Sequence, residues 1–227
     1  MQDTRTHGQG WPNLEVLLTR SLSGLLLSLL VIFTTGCGSF LPSLEQNPWT
    51  LISVPTTATM SDIAFTSDPT HGWLVGSAAT ALETKDGGDT WEARDLGLYD
   101  DRYRFVSVSF TGDEGWIVGE PAITLHTTDG GEHWDEVLLS KQLPGEPLLI
   151  TALGENTAEL ATTVAAIYRT TDGGQNWRAL VQDAAGAVRS IERSPEGKYA
   201  AVSALGNFYS VWQPGQPVWN VHQRVSS

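Results

Sequence analysis

Short runs of alternating apolar and polar residues, separated by glycine-rich turns, recur along most of the chain. Ser61-Asp62-Ile63-Ala64-Phe65 alternates as a half-buried strand does, with successive side chains on opposite faces. Gly72-Trp73-Leu74-Val75-Gly76 predicts a second strand and Ala81-Leu82-Glu83-Thr84 a third; a fourth enters at Trp91 behind the turn Asp86-Gly87-Gly88. The order then repeats. Residues 105–110, 115–119 and 123–126 lead into Asp129-Gly130-Gly131 and Trp134, and residues 149–152, 158–163 and 166–169 into Asp172-Gly173-Gly174 and Trp177. A degenerate fourth copy uses residues 188–191, 199–202 and 207–210, with Pro214-Gly215 at the turn and Trp219 closing it.

The spacing is regular: Asp86 to Asp129 and Asp129 to Asp172 are 43 positions each, and the same steps separate Trp91, Trp134 and Trp177. An Asp at the head of such a turn accepts backbone N–H groups just ahead of it. Gly88, Gly131 and Gly174 supply backbone conformations with positive φ. The Trp entering the next strand is placed to wedge a large ring between units while its N–H finds a partner. Four strands per unit, repeated with one such Trp, predict an all-β chain of β-propeller blades. The repeats run over about 50–91, 92–134, 135–177 and 178–219. Asn47 to Ile52 resembles the last strand of a further unit, with Trp49 lying 42 positions before Trp91. A run of four blades cut from a longer ring and a four-bladed ring with a spare strand both fit this count.

The first 36 residues differ in kind. Arg5 and Arg20 precede an apolar run from Leu22 to Phe33, followed by Thr34-Thr35-Gly36 and the single cysteine, Cys37. The run is short for a bilayer span, and the order of basic, apolar and small residues is that of a secretory signal. It resembles the lipobox of bacterial lipoproteins, in which the Cys is lipidated after cleavage; Thr34 stands where that pattern usually has Leu. The expected organisation is a signal peptide over 1–36, anchor and linker over 37–46 and propeller from 47 to 227.

Composition narrows the function. The net charge is −13, and removing residues 1–36 takes away two acids and two bases and leaves it unchanged. Phosphate backbones select basic surfaces, so a nucleic-acid partner is disfavoured. Neither a phosphate-binding loop nor a dinucleotide fingerprint occurs. His126 and His133 flank one turn, while His71 and His222 belong to other units, none at zinc-ligand spacing. The turns lack the alternating oxygen ligands and terminal Glu of a calcium loop. No cofactor is expected.

The Asp-Gly-Gly-x-x-Trp turns resemble the Asp-box of sialidases, sortilin-type receptors and other propellers. A longer set of segments is narrower: residues 72–76, Asp101-Arg102-Tyr103-Arg104-Phe105, residues 115–121, Leu143-Pro144-Gly145-Glu146-Pro147 and residues 206–212. Together they resemble the photosystem II stability and assembly factors of cyanobacteria and chloroplasts. The resemblance implies a seven-bladed lumenal propeller, a lipoprotein in cyanobacteria. It further implies no enzymatic activity and binding to the D1 protein and early reaction-centre intermediates. About three blades would then be missing here. A basic patch implicated in partner binding falls on Arg189, Arg193, Lys198 and Arg224, and Arg102 with Arg104 forms a second candidate. Two other classes stay open. A sialidase-type glycosidase would need an arginine cluster and a Tyr nucleophile with a Glu partner, for which Tyr103, Tyr168, Tyr199, Tyr209, Glu114 and Glu120 are available. A general extracytoplasmic interaction propeller would share the fold alone.

Overall fold

The structure is a computed structural model that describes residues 49–98, 102–139 and 143–223. The chain divides into compact units of 1–50 and 51–227, and every described strand lies in the second. These strands form four sheets of four, each antiparallel and paired in chain order. The first holds β1 (Met60–Phe65), β2 (Gly72–Gly76), β3 (Ala81–Thr84) and β4 (Glu92–Ala93). The second holds β5 (Arg104–Thr111), β6 (Glu114–Glu120), β7 (Ile123–Thr127) and β8 (Asp135–Glu136). β9 (Pro147–Gly154), β10 (Thr157–Thr162), β11 (Ile167–Thr170) and β12 (Arg178–Ala179) make the third. The fourth is β13 (Val188–Arg193), β14 (Tyr199–Ser203), β15 (Phe208–Trp212) and β16 (Asn220–Gln223). Each sequence repeat thus becomes one blade.

Two expectations change. The strand after each Asp-Gly-Gly turn is only two residues long in the first three blades. Most of that segment is held instead by its Trp and by single backbone bonds, such as Arg94 N–H to Ala81 O at 2.9 Å. Residues 49–52 carry no strand, and Leu51 and Ile52 are exposed.

The first strand of every blade has an irregular register near its start, between Met60 and Asp62, Phe105 and Ser107, Pro147 and Leu149, and Val188 and Ser190. Such a bulge bends the strand and increases its twist. These inner strands run side by side, and side chains of one supply acceptors for the backbone of the next. The Asp62 carboxylate accepts from Val108 N–H at 2.9 Å and from the Ser107 hydroxyl at 3.0 Å. Ser107 Oγ accepts from Ile150 N–H and Ser109 Oγ from Ala152 N–H. Edge N–H groups that would otherwise invite another chain are satisfied inside the array.

Three apolar cores lie between successive sheets. Trp73, Val75, Phe105 and Val108 join the first two; Trp116, Val118, Ile150 and Leu160 the second and third; Ala161, Ile167, Ile191 and Tyr199 the third and fourth. No core among the described residues joins the first sheet to the fourth. Ile63 and Phe65 on one side and Tyr209 and Val221 on the other are exposed. The four sheets form an open run, and the closed four-bladed ring does not form.

The wedge between units is made by two tryptophans. Trp73 of β2 reaches the next blade and donates its indole N–H to Gly130 O at 2.9 Å, while Trp134 packs edge-on against it at 5.4 Å. Trp116 and Trp177 repeat the edge-on pair at 5.9 Å. Gly131 combines a φ of 97° with a position where a Cβ would come 2.3 Å from the Trp73 ring, so both conformation and space require glycine there. The indole N–H of Trp91 bonds Gly88 O, but those of Trp134 and Trp177 have no partner.

Trp73→Ala should lower the unfolding free energy by about 3–5 kcal/mol, measured from urea melts. A loss under about 1 kcal/mol would mean that the blades do not depend on this wedge.

Candidate functional site

The three Asp-Gly-Gly turns have one geometry. Asp86 accepts from Thr84 Oγ1 at 2.8 Å, from Thr90 N–H at 2.9 Å and from the Thr90 hydroxyl. Asp129 does the same with Thr127 and His133, and Asp172 with Thr170 and Asn176. The Thr90 hydroxyl and N–H hold the Asp86 carboxyl down at about 2. At Asp129 partial burial opposes the shift, but the His133 N–H, its ring and the Thr127 hydroxyl bring it to about 2 as well. The Asp172 carboxyl is lowered by Asn176 and Thr170. Asp129, Glu132 and His133 form a cluster at metal-ligand separations, all exposed. His133 there occupies the place of Thr90 and Asn176, and its ring, with pKa raised by Asp129, caps the turn.

The basic residues do not form one patch. β13 runs from Arg189 to Arg193 over about 13 Å, and the β13–β14 turn places Lys198 at the Arg193 end. Arg104, at the start of β5, lies at the same end of the array as Arg189, with the third blade between them. Its guanidinium bonds the Glu120 carboxylate at 2.9 Å, both groups partly exposed. Arg102 is exposed and is not without a partner. Arg189 and Lys198 are exposed. Cys37 and Arg224 lie outside the described residues.

Arg193 is a correction to the expected docking surface. Its side chain is only 12% exposed, and its Nε donates to Glu159 Oε2 at 2.6 Å. Glu159, 1% exposed, also accepts from the Tyr199 hydroxyl at 2.9 Å and from Arg169. Burial alone would raise the Glu159 carboxyl, but Arg193, Arg169 and Tyr199 together hold it below the ordinary range. Register explains why the charge is here. Trp73, Trp116 and Glu159 occupy one position in three blades, since each lies opposite the third-strand residue at the next repeat, Glu83, His126 and Arg169. Trp73 and Trp116 lie against the following Asp-box turn. The fourth blade has no such turn, and Glu159 instead grips Arg193 and Tyr199 of that blade.

Sequence reasoning missed Glu159 and Arg169, and also Arg178, which lies directly opposite Arg169 on β12. Their signal was a break in the repeat: Glu83 and Glu92 in the first blade become Arg169 and Arg178 in the third. The glycosidase alternative loses support at the same place. Tyr199 is the tyrosine bonded to a glutamate, but it is 1% exposed and its hydroxyl pKa is pushed far up by burial and by the Glu159 charge. A nucleophilic phenol needs the opposite shift and an open path to substrate.

Four four-stranded blades with inner-strand bulges, three of them carrying Asp-box turns, define an Asp-box β-propeller. The model of the family described as photosynthesis system II assembly factor YCF48 matches residues 41–227, and the chain belongs to that family. A curated relative, the photosystem II assembly lipoprotein Ycf48 of Trichormus variabilis, is 57% identical over 201 residues, covering 88% of this chain and 59% of its own length. A solved structure of YCF48 bound to a D1 peptide is similar, with a TM-score of 0.78 and 57% identity, over 82% of this chain and 61% of that one. YCF48 from Cyanidioschyzon merolae has a TM-score of 0.76 at 45% identity, covering 79% of this chain and 61% of that one. The chain therefore spans about three-fifths of the length of these relatives.

Glu159→Ala leaves the Arg193 charge buried without its partner and should cost about 3–5 kcal/mol in denaturant melts; replacing Glu159 and Arg193 together by leucines should cost less. The lowered Asp86 and Asp129 carboxyls contribute stability that is full above the ordinary 3.8 and is lost as pH falls through about 2. Asp129→Asn should flatten part of that acid dependence in urea midpoints taken from pH 5 to pH 2, and an unchanged slope would discount the turn's share.

Proposed function

We propose that this chain is a non-enzymatic photosystem II assembly factor that holds newly inserted D1 protein and early reaction-centre intermediates. It does so from the lumenal side of the thylakoid membrane, tethered through lipidated Cys37. The observation that carries this is its 57% identity, over 82% of its length, to a solved YCF48 bound to a D1 peptide. The name lipoprotein on curated relatives supports the tether, and an acidic domain would rely on acyl chains rather than on attraction to anionic lipid.

Among the candidate contacts, Arg189 is the strongest of the charges. It is exposed on the first bulge of β13, where the strand is bent and its side chain re-aimed. Lys198 at the other end of the hairpin, and Arg102 with Arg104 two blades earlier, are the further candidates, with Arg224 beyond the described residues. Basic groups on a domain of net charge −13 steer carboxylate-bearing segments in a way the rest of the surface opposes. Arg193 acts in this scheme by holding the third and fourth blades in register, not by touching the partner.

Affinity capture of the tagged, membrane-anchored protein from solubilised thylakoids tests the proposal. D1 precursor and early reaction-centre subunits should be recovered, and Arg189→Glu should reduce that recovery about tenfold while leaving the melting temperature unchanged. Recovery of envelope proteins alone would overturn the photosystem assignment and leave a general interaction propeller.

A further inference from the structure

A groove of about 690 Å³ lies between the third and fourth blades and contains none of the basic residues discussed above as partner contacts. Its charged wall is Arg169 and Arg178; its apolar wall is Leu180, Val181, Trp212 and Pro217. The corresponding cleft between the first and second blades, lined by Trp73, Arg94 and the Gly131–Asp135 turn, measures about 260 Å³. The difference has a cause in the sequence. In the second blade the Asp-box turn projects into the cleft and meets the Trp73 ring. In the fourth blade Pro214-Gly215 replaces that turn, and the third blade offers Glu159 in place of the ring. Trp212 lines the groove, with its indole N–H on Gln216 O at 2.8 Å, and Gln182 N–H bonds Pro217 O at 2.8 Å, tying the two blades together there.

The charge in this groove is reversed relative to its repeats. Across β10, β11 and β12 the residues Glu159, Arg169 and Arg178 lie directly opposite one another. The matching row of the first blade is Trp73, Glu83 and Glu92, and that of the second is Trp116, His126 and Asp135. In the first blade Glu83 is held by His71, Arg94 and Lys85, and the exposed Glu92 has no ion-pair partner among the described residues. In the third blade two arginines face each other across a strand pair, an arrangement that is destabilising by itself. One buried carboxylate, Glu159, is shared among Arg169, Arg193 and Tyr199, and Arg178 has no ion-pair partner among the described residues. A like-charged pair at the mouth of an open groove is relieved by an anion that both guanidiniums can grip. The apolar wall beside it suits the side chains that flank an acidic residue in a peptide.

We infer that the groove between the third and fourth blades is a binding site for an acidic, partly apolar peptide segment of a partner protein, with Arg178 and Arg169 receiving its carboxylates. This site is separate from Arg189 and Arg104, which lie at the opposite end of the blades, and it does not depend on the identity of the partner proposed above.

The test uses the full chain and a fluorescein-labelled peptide of alternating glutamate and leucine, read by fluorescence anisotropy. Binding should weaken with added salt and fall about tenfold or more in Arg178→Glu, a change at an exposed strand position whose fold is checked by circular dichroism. Arg189→Glu should leave it within about twofold. Absence of binding to the unaltered chain, or equal binding by Arg178→Glu, overturns the site. Saturable, Arg178-dependent binding of phosphatidylglycerol vesicles in place of the peptide overturns the peptide as occupant, and so does complete competition by free acetate at concentrations matched in carboxylate. Capture of D1 from membranes is scored separately with the same variant. Loss of glutamate-peptide binding with D1 capture intact supports the groove and leaves the assembly role standing. Loss of D1 capture in Arg189→Glu alone leaves the groove untouched.

Discussion

The second and third blades are joined to their predecessors by a tryptophan ring laid over the outer turn. A two-residue fourth strand and a tight Asp-Gly-Gly loop have little structure of their own. In the second blade the Trp73 indole lies on Gly131 and donates to Gly130 O, and in the third the Trp116 ring lies against Gly174. Side chains of the inner strands lock the blades at the other edge, where Asp62 and Ser107 take up backbone N–H groups. Sheets with exposed edges are prone to pair with foreign chains. Here the edge that points inward is satisfied by the neighbouring blade, and order passes from blade to blade as in other repeat proteins.

The interface between the third and fourth blades departs from that rule, and the departure is compensated. With no Asp-box turn to receive a tryptophan, a ring at position 159 would face an open cleft. Glutamate there is buried, which alone would be costly. Arg193 and Tyr199 of the fourth blade and Arg169 of its own remove the penalty by satisfying both carboxylate oxygens. Buried ion networks of this type often add less stability than an apolar core of the same volume, but removing one member leaves an unpaired charge. The result is a buried ion network beside an open groove of about 690 Å³, against about 260 Å³ for the cleft between the first two blades.

Much of this was legible in the sequence because the repeat is strict. The period of 43, the alternation in Ser61–Phe65 and the three Asp-Gly-Gly turns specified four-stranded blades and their order, and the strands of the structure begin and end within a few residues of those expected. Three features were not legible. The segment around Leu51 has strand-like composition but carries no strand, and pairing is a tertiary property. Which tryptophan bridges the blades depends on register, so Trp73 and Trp116 share a task assigned to Trp134 and Trp177 alone. The role of Arg193 depends on Glu159, 34 residues away in sequence. A basic residue on an alternating strand reads as exposed charge until its buried counter-ion is known.

Charge reversal within a repeat is more informative here than net charge. Across homologous rows the chain has Glu83 and Glu92, then His126 and Asp135, then Arg169 and Arg178, while the backbone beneath them is unchanged. Position in the blade therefore does not dictate the sign, and the same backbone accommodates acids and bases in turn. Glu83 has Arg94, Lys85 and the His71 ring as neighbours, and His126 bonds Glu114 at 2.9 Å. The outermost members of these rows, Glu92, Asp135 and Arg178, have no ion-pair partner among the described residues, and of the three Arg178 alone is basic and lines the groove. In an otherwise acidic domain such a site repels least the segments that the remaining surface repels most. This gives the molecule local selectivity for carboxylates without altering the scaffold that presents them.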